Sequence, residues 1–426
     1  MLKQRILYLC RKKGISRQKL TEGLITQTHF SNILAGRYAL AGDLAEAMAK
    51  RLSTSPEYIM KAANWSDEDV NKVDELAQVA FSEILDESII SSLPVVANEL
   101  SVEIAANIAA VCILTRNENI VKIEEIQTEY LDFYLSEFND ENIEAFHPSL
   151  QKMLYLYKSL VYSSEEKFQT ALVYLDKLLE IVEYDSDAFI YTQFYRTVAF
   201  VSLEMFDIAL ETTDILLLRI RKENRLNHLA RLHILRSAIF DKIQLEQQTM
   251  VELAKAEESM MYLSDPLFRG RILAAILHNR IVTATDLHYF DIAEQTIERT
   301  QEMLSLNGSI SDEIIKQRIS FYKASLLLEQ ENWEALTEVL DKLQSMPEVP
   351  NSSLIIHYCR GVMLYEQKHT QEAEAFLVLV EKEMTKNILA VKSIARVYIM
   401  LAEISESDRK YKQAAEYYKK AYEAMK

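Results

Sequence analysis

The fold of this chain is decided by one stretch near its start, Lys13-Gly-Ile-Ser-Arg-Gln-Lys-Leu-Thr-Glu-Gly-Leu-Ile-Thr-Gln-Thr-His-Phe-Ser-Asn-Ile-Leu-Ala-Gly36. Its pattern predicts a short helix, a tight turn and a second helix. Ser16 can cap the first helix, over residues 17–22, because its hydroxyl can accept an unpaired backbone N–H. Gly23 supplies the turn. The second helix begins near Thr26 and ends at a terminal glycine, which is favoured there.

The second of these helices has two unlike faces. Phe30 and Ile33 are three residues apart and therefore share one face, which we expect to be buried. The opposite face carries side chains that can donate to and accept from base edges in a major groove, namely Gln27, Thr28, His29 and Asn32. Three further residues are placed for phosphate, where they would set register without reading sequence: Arg17, Gln18 and Arg37. For His29 the alternative is an exposed helix residue without a binding role.

The stretch resembles the helix-turn-helix of the Xre or lambda-repressor-like family over about the first 62 residues. Three segments carry the resemblance, namely Leu9-Cys-Arg-Lys-Lys-Gly-Ile-Ser-Arg-Gln-Lys-Leu20, Phe30-Ser-Asn-Ile-Leu-Ala-Gly36 and Leu44-Ala-Glu-Ala-Met-Ala-Lys-Arg-Leu52. The variant around Thr26-Gln-Thr-His looks closer to the peptide-pheromone receptors of Gram-positive bacteria, the Rgg, NprR, PlcR and PrgX group. The chain departs from the family at Leu34, where Glu is usual, and at Leu40, where Pro is usual. A helical module that no longer binds DNA is the alternative.

Composition favours a nearly all-helical protein of two or three domains. The 426 residues are 49% hydrophobic and include only 7 Gly and 6 Pro, whereas sheets and hairpins usually need more turn formers. The three cysteines are too few and too far apart for a disulfide framework or a Cys-x-x-Cys pair, which fits a reducing cytoplasm. No apolar run approaches the roughly 18 residues of a membrane span, and the first residues show no signal peptide. We therefore expect a cytoplasmic protein with no membrane partner.

Charge is distributed unevenly along the chain. The whole chain carries −17, which by itself argues against nucleic acid. Residues 1–62, however, contain 11 basic and 4 acidic side chains and carry +7, so that the remainder carries −24. A basic head on an acidic body suits a head that docks on phosphate. The alternative is that acidity only keeps a large helical body soluble.

From about residue 149 the chain repeats. The clearest unit ends with Ala414, Tyr418 and Ala421 in the spacing A-x₃-Y-x₂-A, which resembles the tetratricopeptide repeat. Equivalent alanines recur at spacings of 38, 84, 42, 38 and 41 residues, at Ala171, Ala209, Ala293, Ala335, Ala373 and Ala414. The gap of 84 is twice 42, so a degenerate unit is predicted across 226–263. The pattern therefore predicts seven helical pairs from about 149 to 426.

The fold class expected from these patterns is all-α. We assign residues 1–63 to a five-helix lambda-repressor-like DNA-binding domain and 64–148 to a helical linker with early degenerate repeats. Residues 149–426 are predicted to form a right-handed superhelix of tetratricopeptide repeats whose first helices line a concave channel, and we expect this to be the peptide-binding and dimerisation domain. Within the linker, helices are predicted over roughly 67–86, 88–99, 101–115 and 119–138.

With the helix-turn-helix in front, the whole architecture resembles the peptide-pheromone receptors. The resemblance implies a quorum-sensing transcriptional regulator that binds a double-stranded DNA operator and is controlled by a short signalling peptide held in the channel. It also implies a homodimer, since such heads read paired half-sites. The family uses first-helix amides to hold its peptide, and Asn279 is the one Asn in the middle of a first helix. Counting from the repeat alanines adds other channel-facing candidates: Phe194, Arg236, His278, Arg318, Tyr322, Tyr358 and Tyr365. As alternatives, the aromatic residues fill the core between repeats and the arginines pair with neighbouring acids.

Nothing in the sequence indicates catalysis. It contains no G-x-x-x-x-G-K-[ST] phosphate loop, no His-Glu-x-x-His zinc pattern and no G-x-S-x-G elbow. We therefore predict no enzymatic activity, no metal site and no cofactor. Two rival functions remain. One is a Rap-like regulator whose repeats grip a response regulator or another protein, and the other is a phosphatase using a helix-borne Gln or Glu.

Overall fold

The computed structural model describes residues 1–83, 86–117, 119–138, 140–306, 312–346, 352–384 and 391–425. Within these ranges the chain forms 24 α-helices and no β-strand, which confirms the all-helical prediction. None of the helices in the described ranges is long and apolar enough to cross a membrane.

The first five helices follow the predicted pattern closely. They are α1 (Leu2–Lys13), α2 (Arg17–Thr21), α3 (Gln27–Leu34), α4 (Gly42–Leu52) and α5 (Pro56–Met60). The hydroxyls of Ser16, Thr26 and Ser55 cap α2, α3 and α5, each accepting a backbone N–H three residues on. Gly14 and Gly36 follow α1 and α3 at φ 62° and 72°, a left-handed conformation that other residues adopt only with strain.

The next segment differs from the prediction. Its helices are α6 (Asp67–Ala80), α7 (Leu100–Arg116), α8 (Ile120–Ile126), α9 (Asp132–Glu137) and α10 (Asp140–Glu144). The helix predicted over 88–99 is wrong, because only a 3₁₀ turn over Glu87–Ser92 forms there. Pro94 explains the failure, since its ring and missing N–H disfavour helix around it. The helix predicted over 119–138 is interrupted by a π-helical turn, Gln127–Leu131.

Seven consecutive helix pairs follow, as the spacing predicted. They are α11 (Pro148–Ser164), α12 (Phe168–Ile181), α13 (Asp187–Ser202), α14 (Phe206–Lys222), α15 (Leu229–Lys242), α16 (Glu246–Ser259), α17 (Pro266–Asp286), α18 (Phe290–Leu306), α19 (Asp312–Glu329), α20 (Trp333–Ser345), α21 (Ser352–Glu366), α22 (Thr370–Glu383), α23 (Val391–Ser407) and α24 (Tyr411–Ala424). The degenerate unit is α15 with α16.

The turn inside each pair is built in the same way. One non-glycine residue adopts a left-handed φ between 55° and 66°, in turn Glu166, Glu204, Gln244, His288, Glu331, Lys368 and Arg409. Five residues later comes a buried side chain, in turn Ala171, Ala209, Thr249, Ala293, Leu336, Ala373 and Ala414. The degenerate unit therefore carries Thr249 at the buried position that is alanine in most of the other pairs. In the fifth pair the buried position is Leu336, so the choice of Ala335 from spacing was one residue out.

The chain divides into two compact units, residues 1–239 with 261–270, and residues 240–260 with 271–426. In the first unit one continuous hydrophobic core includes Ile6 and Phe30 as well as Leu100, Tyr157 and Tyr191. The five head helices therefore share their core with the helices that follow. In the second unit a separate core extends from α19 to α24. The domain boundaries at 63/64 and 148/149 stay predictions.

Candidate functional site

The candidate DNA-reading surface is the outer face of α3. Phe30 and Ile33 are buried on its inner face, as their spacing predicted. On the outer face Gln27, Thr28 and His29 are exposed, and Asn32 is half-buried one turn later. The helix therefore presents its polar face to solvent.

Several of these polar side chains are already engaged by neighbours. Gln27 Nε2 donates to Thr21 Oγ1 at 2.5 Å, which links α3 to the end of α2. The His29 ring stacks on Tyr38, with ring centroids 5.4 Å apart and an interplanar angle of 24°. Arg37 donates to Asn32 Oδ1 at 3.2 Å, so a base-reading candidate and a phosphate candidate lie together. Tyr38 was not anticipated from the sequence.

Arg17 and Gln18 occupy the first turn of α2, and both are exposed. Arg37 is exposed after the end of α3. The residues predicted to contact phosphate thus lie on α2 and just after the end of α3. Their roles remain predictions.

Arg51 on α4 holds the turn between α2 and α3. Its guanidinium donates to the backbone carbonyls of Lys19 at 3.1 Å, Leu20 at 2.8 Å and Glu22 at 2.8 Å. These carbonyls lie at the end of α2, where backbone acceptors lack helical partners. Sequence reasoning missed Arg51, because carbonyl acceptors have no side-chain signature and lie about thirty residues away along the chain.

A buried polar cluster joins α1 to α7. Arg5 and Glu103 are fully buried, with Nη2 and Oε2 3.6 Å apart. Glu103 also accepts from the hydroxyls of Tyr58 at 2.9 Å and Tyr130 at 2.6 Å, and from the backbone N–H of Ala97 at 2.9 Å. Burial and the Glu103 carboxylate raise the pKa of both tyrosines well above the ordinary value. This cluster fixes the orientation of α1 against α7.

Two channel candidates lie in the first unit. The Phe194 ring on α13 is covered by the Arg231 guanidinium at 3.7 Å, and Arg231 in turn pairs with Glu83 at 2.6 Å. Arg236 on α15 donates to Thr213 Oγ1 and to Asp214, each at 2.6 Å. Both candidates therefore contact other parts of the protein, and a ligand would have to share or displace these contacts.

The remaining candidates lie on first helices of the second unit. His278 Nδ1 on α17 is 2.7 Å from the Tyr322 hydroxyl on α19, so the structure brings these two together, and Asn279 beside them is half-buried. Tyr358 is buried, and burial raises its pKa. The Tyr365 hydroxyl donates to Glu403. The side chain of Arg318 lies outside the described residues.

A row of glutamates crosses the same first helices. Glu329, Glu366 and Glu403 occupy α19, α21 and α23 at a constant spacing of 37 residues. Arg396 on α23 donates to Glu329 at 2.8 Å and to Glu366 at 3.5 Å. Sequence reasoning missed the row, although the constant spacing could have revealed it.

Neither the cysteines nor the acidic side chains form a metal site in the described part of the chain. Burial raises the pKa of the Cys112 thiol to about 11 and of the Cys359 thiol to about 12. A thiol held in its neutral form is a poor nucleophile and metal ligand. Among the described residues, no group of three or more His, Cys, Asp or Glu side chains is placed to hold a metal ion.

Together these features define a class of protein, an all-helical chain with a five-helix head followed by tetratricopeptide-like helix pairs. Solved structures with this fold include the apo form of the quorum sensor NprR from B. thuringiensis. It matches with a TM-score of 0.58 and 16% identity over 84% of this chain and 99% of that chain. NprR in complex with its cognate peptide NprX matches with a TM-score of 0.53 and 14% identity over 85% and 99%. At these identities the likeness shows the fold alone. No protein-family model matches this chain, and no curated protein does.

Proposed function

We propose that this chain is a DNA-binding transcriptional regulator, active in the cytoplasm as a homodimer and controlled by a short peptide bound on its repeat helices. The observation that carries the proposal is the solvent-facing polar side of α3 on a segment of charge +7, in a chain whose other residues carry −24. Phosphate attracts the basic segment and repels the acidic remainder. The head would therefore approach DNA with α3 leading.

The side chains on and near α3 would have three different roles, namely base contact, support of the helix and phosphate contact. Thr28 and Asn32 are the candidates for direct base contact, and each good bidentate contact contributes about 1–3 kcal/mol of discrimination. Gln27 is hydrogen bonded to Thr21 and would mainly brace α3. Arg17, Gln18 and Arg37 would hold phosphates.

The peptide-binding half of the proposal is supported by the fold and by polar side chains on first helices. A neighbour in fold, NprR, is known in complex with its cognate peptide NprX. An extended peptide leaves donors and acceptors that must be paired when they are buried. The Asn279 amide can do both, and the His278–Tyr322 pair and the glutamate row with Arg396 lie on the same set of helices. Bound peptide would favour one arrangement of the repeats, by as much as its affinities for the alternatives differ.

The DNA-binding half is tested by selecting duplexes from a random library with the purified full chain. We expect an enriched sequence motif. Thr28→Ala and Asn32→Ala should relax preference at individual base pairs by about 1–3 kcal/mol, whereas Arg17→Ala should weaken all duplexes alike and lower the salt slope by about 1. Lys382→Ala, in the acidic body, serves as the control. A library without enrichment would contradict DNA reading and would favour the protein-binding alternative.

The peptide half is tested by melting the protein with short peptides encoded beside its gene. A ligand at 100-fold excess over its Kd should add about 2.7 kcal/mol to the free energy of unfolding. Asn279→Ala should abolish most of that gain, while Asn71→Ala, a matched change in an exposed position on α6, should leave it. If no such peptide shifts the melting temperature, peptide control is contradicted.

A further inference from the structure

Helix α14 leaves large apolar side chains in solvent. Ile215 is 58% exposed and Leu218 is 70% exposed, and Ile208, two turns before Ile215, is also exposed. The spacing of seven and three residues places these three on one side of the helix. The opposite side is buried in the core of the first unit through Ala209, Leu216 and Ile220. Exposed apolar side chains grouped on one side of a helix make this face a candidate interaction surface.

The stripe continues onto the loop before α13. Tyr184 is exposed there, and the Arg219 guanidinium of α14 lies 3.5 Å from the centre of its ring. Arg219 is itself buried, and its Nε pairs with Glu223 at 2.9 Å, so its contact with the ring holds Tyr184 against α14. Tyr184 therefore adds an exposed aromatic ring that lies against Arg219 of α14.

The exposed charges of α14 are segregated along the helix. Glu204, Asp207 and Glu211 are exposed around its first half, and Arg221 and Lys222 are exposed at its end. Asp214 at its centre is also exposed, but its carboxylate is paired with Arg236 of α15 at 2.6 Å. If two copies of α14 cross antiparallel at Ile215, Asp207 lies about 12 Å to one side of the crossing. Lys222 of the second copy then lies about 10 Å to the same side. The helix is therefore complementary to itself in charge as well as in its apolar stripe, as a two-fold interface requires.

From this complementarity we propose that the exposed face of α14 is the surface through which two copies of this chain associate. Ile215 packs on Ile215 at the two-fold axis, and Ile208 and Leu218 cover it from either side. The acidic first half of each helix meets the basic end of the other. The inference rests on the proposed function in one respect, since it supplies the surface for the proposed homodimer.

The test is the mass of the full chain in solution, measured by size-exclusion light scattering over a dilution series. The wild type is expected to be a dimer, and Ile215→Glu is expected to raise its dissociation constant at least 100-fold. Ile120→Glu is the matched control, because Ile120 is 64% exposed on α8 and outside the stripe. Helix content and melting temperature show that both variants are folded.

Charge reversal tests the antiparallel geometry. Asp207→Lys and Lys222→Asp are each expected to weaken the dimer about 10-fold, and the double variant should recover wild-type association. A monomeric wild type, a dimeric Ile215→Glu variant or a double variant no better than its parents would overturn the proposal. These masses are independent of DNA selection, so a dimer that uses another surface leaves the proposed function standing. A dimer on this surface that enriches no duplex contradicts the function alone.

Discussion

Arg5 and Glu103 decide how the first helix is held. Moving two charges out of water costs several kcal/mol each, and their attraction offsets this only when every remaining polar atom is paired. Here Glu103 accepts from two tyrosine hydroxyls and a backbone N–H. Arg5 donates to the carbonyls of Tyr58 and Ala97, but its Nε is buried without a partner. Such a pair adds little net stability, but it admits one orientation of α1 against α7.

Removing one partner of the Arg5–Glu103 pair should lower the free energy of unfolding more than removing both partners. Arg5→Met leaves a buried carboxylate without its cation and should lower the free energy of unfolding by about 3–5 kcal/mol. The double variant Arg5→Met with Glu103→Leu should recover only part of the loss, because it leaves two tyrosine hydroxyls and the Ala97 N–H without their acceptor. Lys72→Met, at an exposed pair with Glu68, should cost less than about 1 kcal/mol. Urea unfolding measures all three, and an Arg5→Met variant as stable as Lys72→Met would contradict the account.

Asp187 makes stability depend on acid. Its hydrogen bond with His228, followed by that from Arg225, holds the pKa of its carboxyl at about 2, below the ordinary 3.8. A lowered pKa contributes stability that is present above about pH 4 and is lost as the pH falls towards 2. The carboxylate is 57% exposed, so after solvent screening the contribution is about 1 kcal/mol.

Asp187→Asn should therefore be less stable than the wild type at pH 6 and equal to it near pH 2. Unfolding by urea across this pH range measures the difference. A difference that stays constant from pH 6 to pH 2 would contradict the assigned cause.

Residues with a periodic signature could be predicted, and residues with a distant backbone partner could not. Phe30 and Ile33 were placed in the core by their spacing, which left the polar face of α3 outside. Arg51 and Arg5 looked like ordinary basic side chains of a positive segment. Their partners are carbonyls and a carboxylate that only tertiary packing brings near, so no local pattern could show them.

The turn between α2 and α3 is stabilised by a residue of another helix, Arg51 of α4. Removing Arg51 withdraws three donors from carbonyls at the end of α2, and Arg51→Ala should lower the free energy of unfolding by about 1–2 kcal/mol. Amide hydrogen exchange of residues 20–25 should accelerate, and affinity for a selected duplex should fall. Lys50→Ala, the exposed neighbour, should change neither. Unchanged exchange in Arg51→Ala would refute this role.

The seven turns within the repeats explain how a chain with so few glycines makes so many reversals. Each uses a non-glycine residue at left-handed φ, which costs roughly 1–2 kcal/mol relative to glycine. At Glu204, the Gly variant should be more stable than the Ala variant by about 1 kcal/mol, since both lose the carboxylate and only Gly loses the Cβ. Thermal unfolding decides the order, and an Ala variant at least as stable as the Gly variant would count against this reading.

At this level the sequence predicted the helix pairs but erred where one residue overrode the pattern. The spacing of alanines anticipated a degenerate unit, which is α15 with α16. The helix predicted over 88–99 is wrong because Pro94 lies in the middle of the segment and disfavours helix around it. In the fifth pair the buried repeat position was predicted one residue too early. Ala335 was chosen because the other repeats carry alanine there, whereas the turn geometry places Leu336 in the buried position.

The whole molecule combines a basic head with an acidic body. The head shares its core with the helices up to α13, and the Arg5–Glu103 pair lies inside that core. A peptide effect on DNA binding therefore cannot rely on a head swinging freely on a tether. It would act through the spacing of two heads in a dimer, which is why the proposed α14 interface matters to the mechanism.

A peptide on the repeats is expected to change DNA binding by the head. Fluorescence anisotropy of a selected, labelled duplex, titrated with the full chain with and without saturating peptide, measures this coupling directly. We predict a change in Kd of at least about 10-fold, since allosteric couplings are typically 1–3 kcal/mol. Identical affinities at saturating peptide would contradict the account.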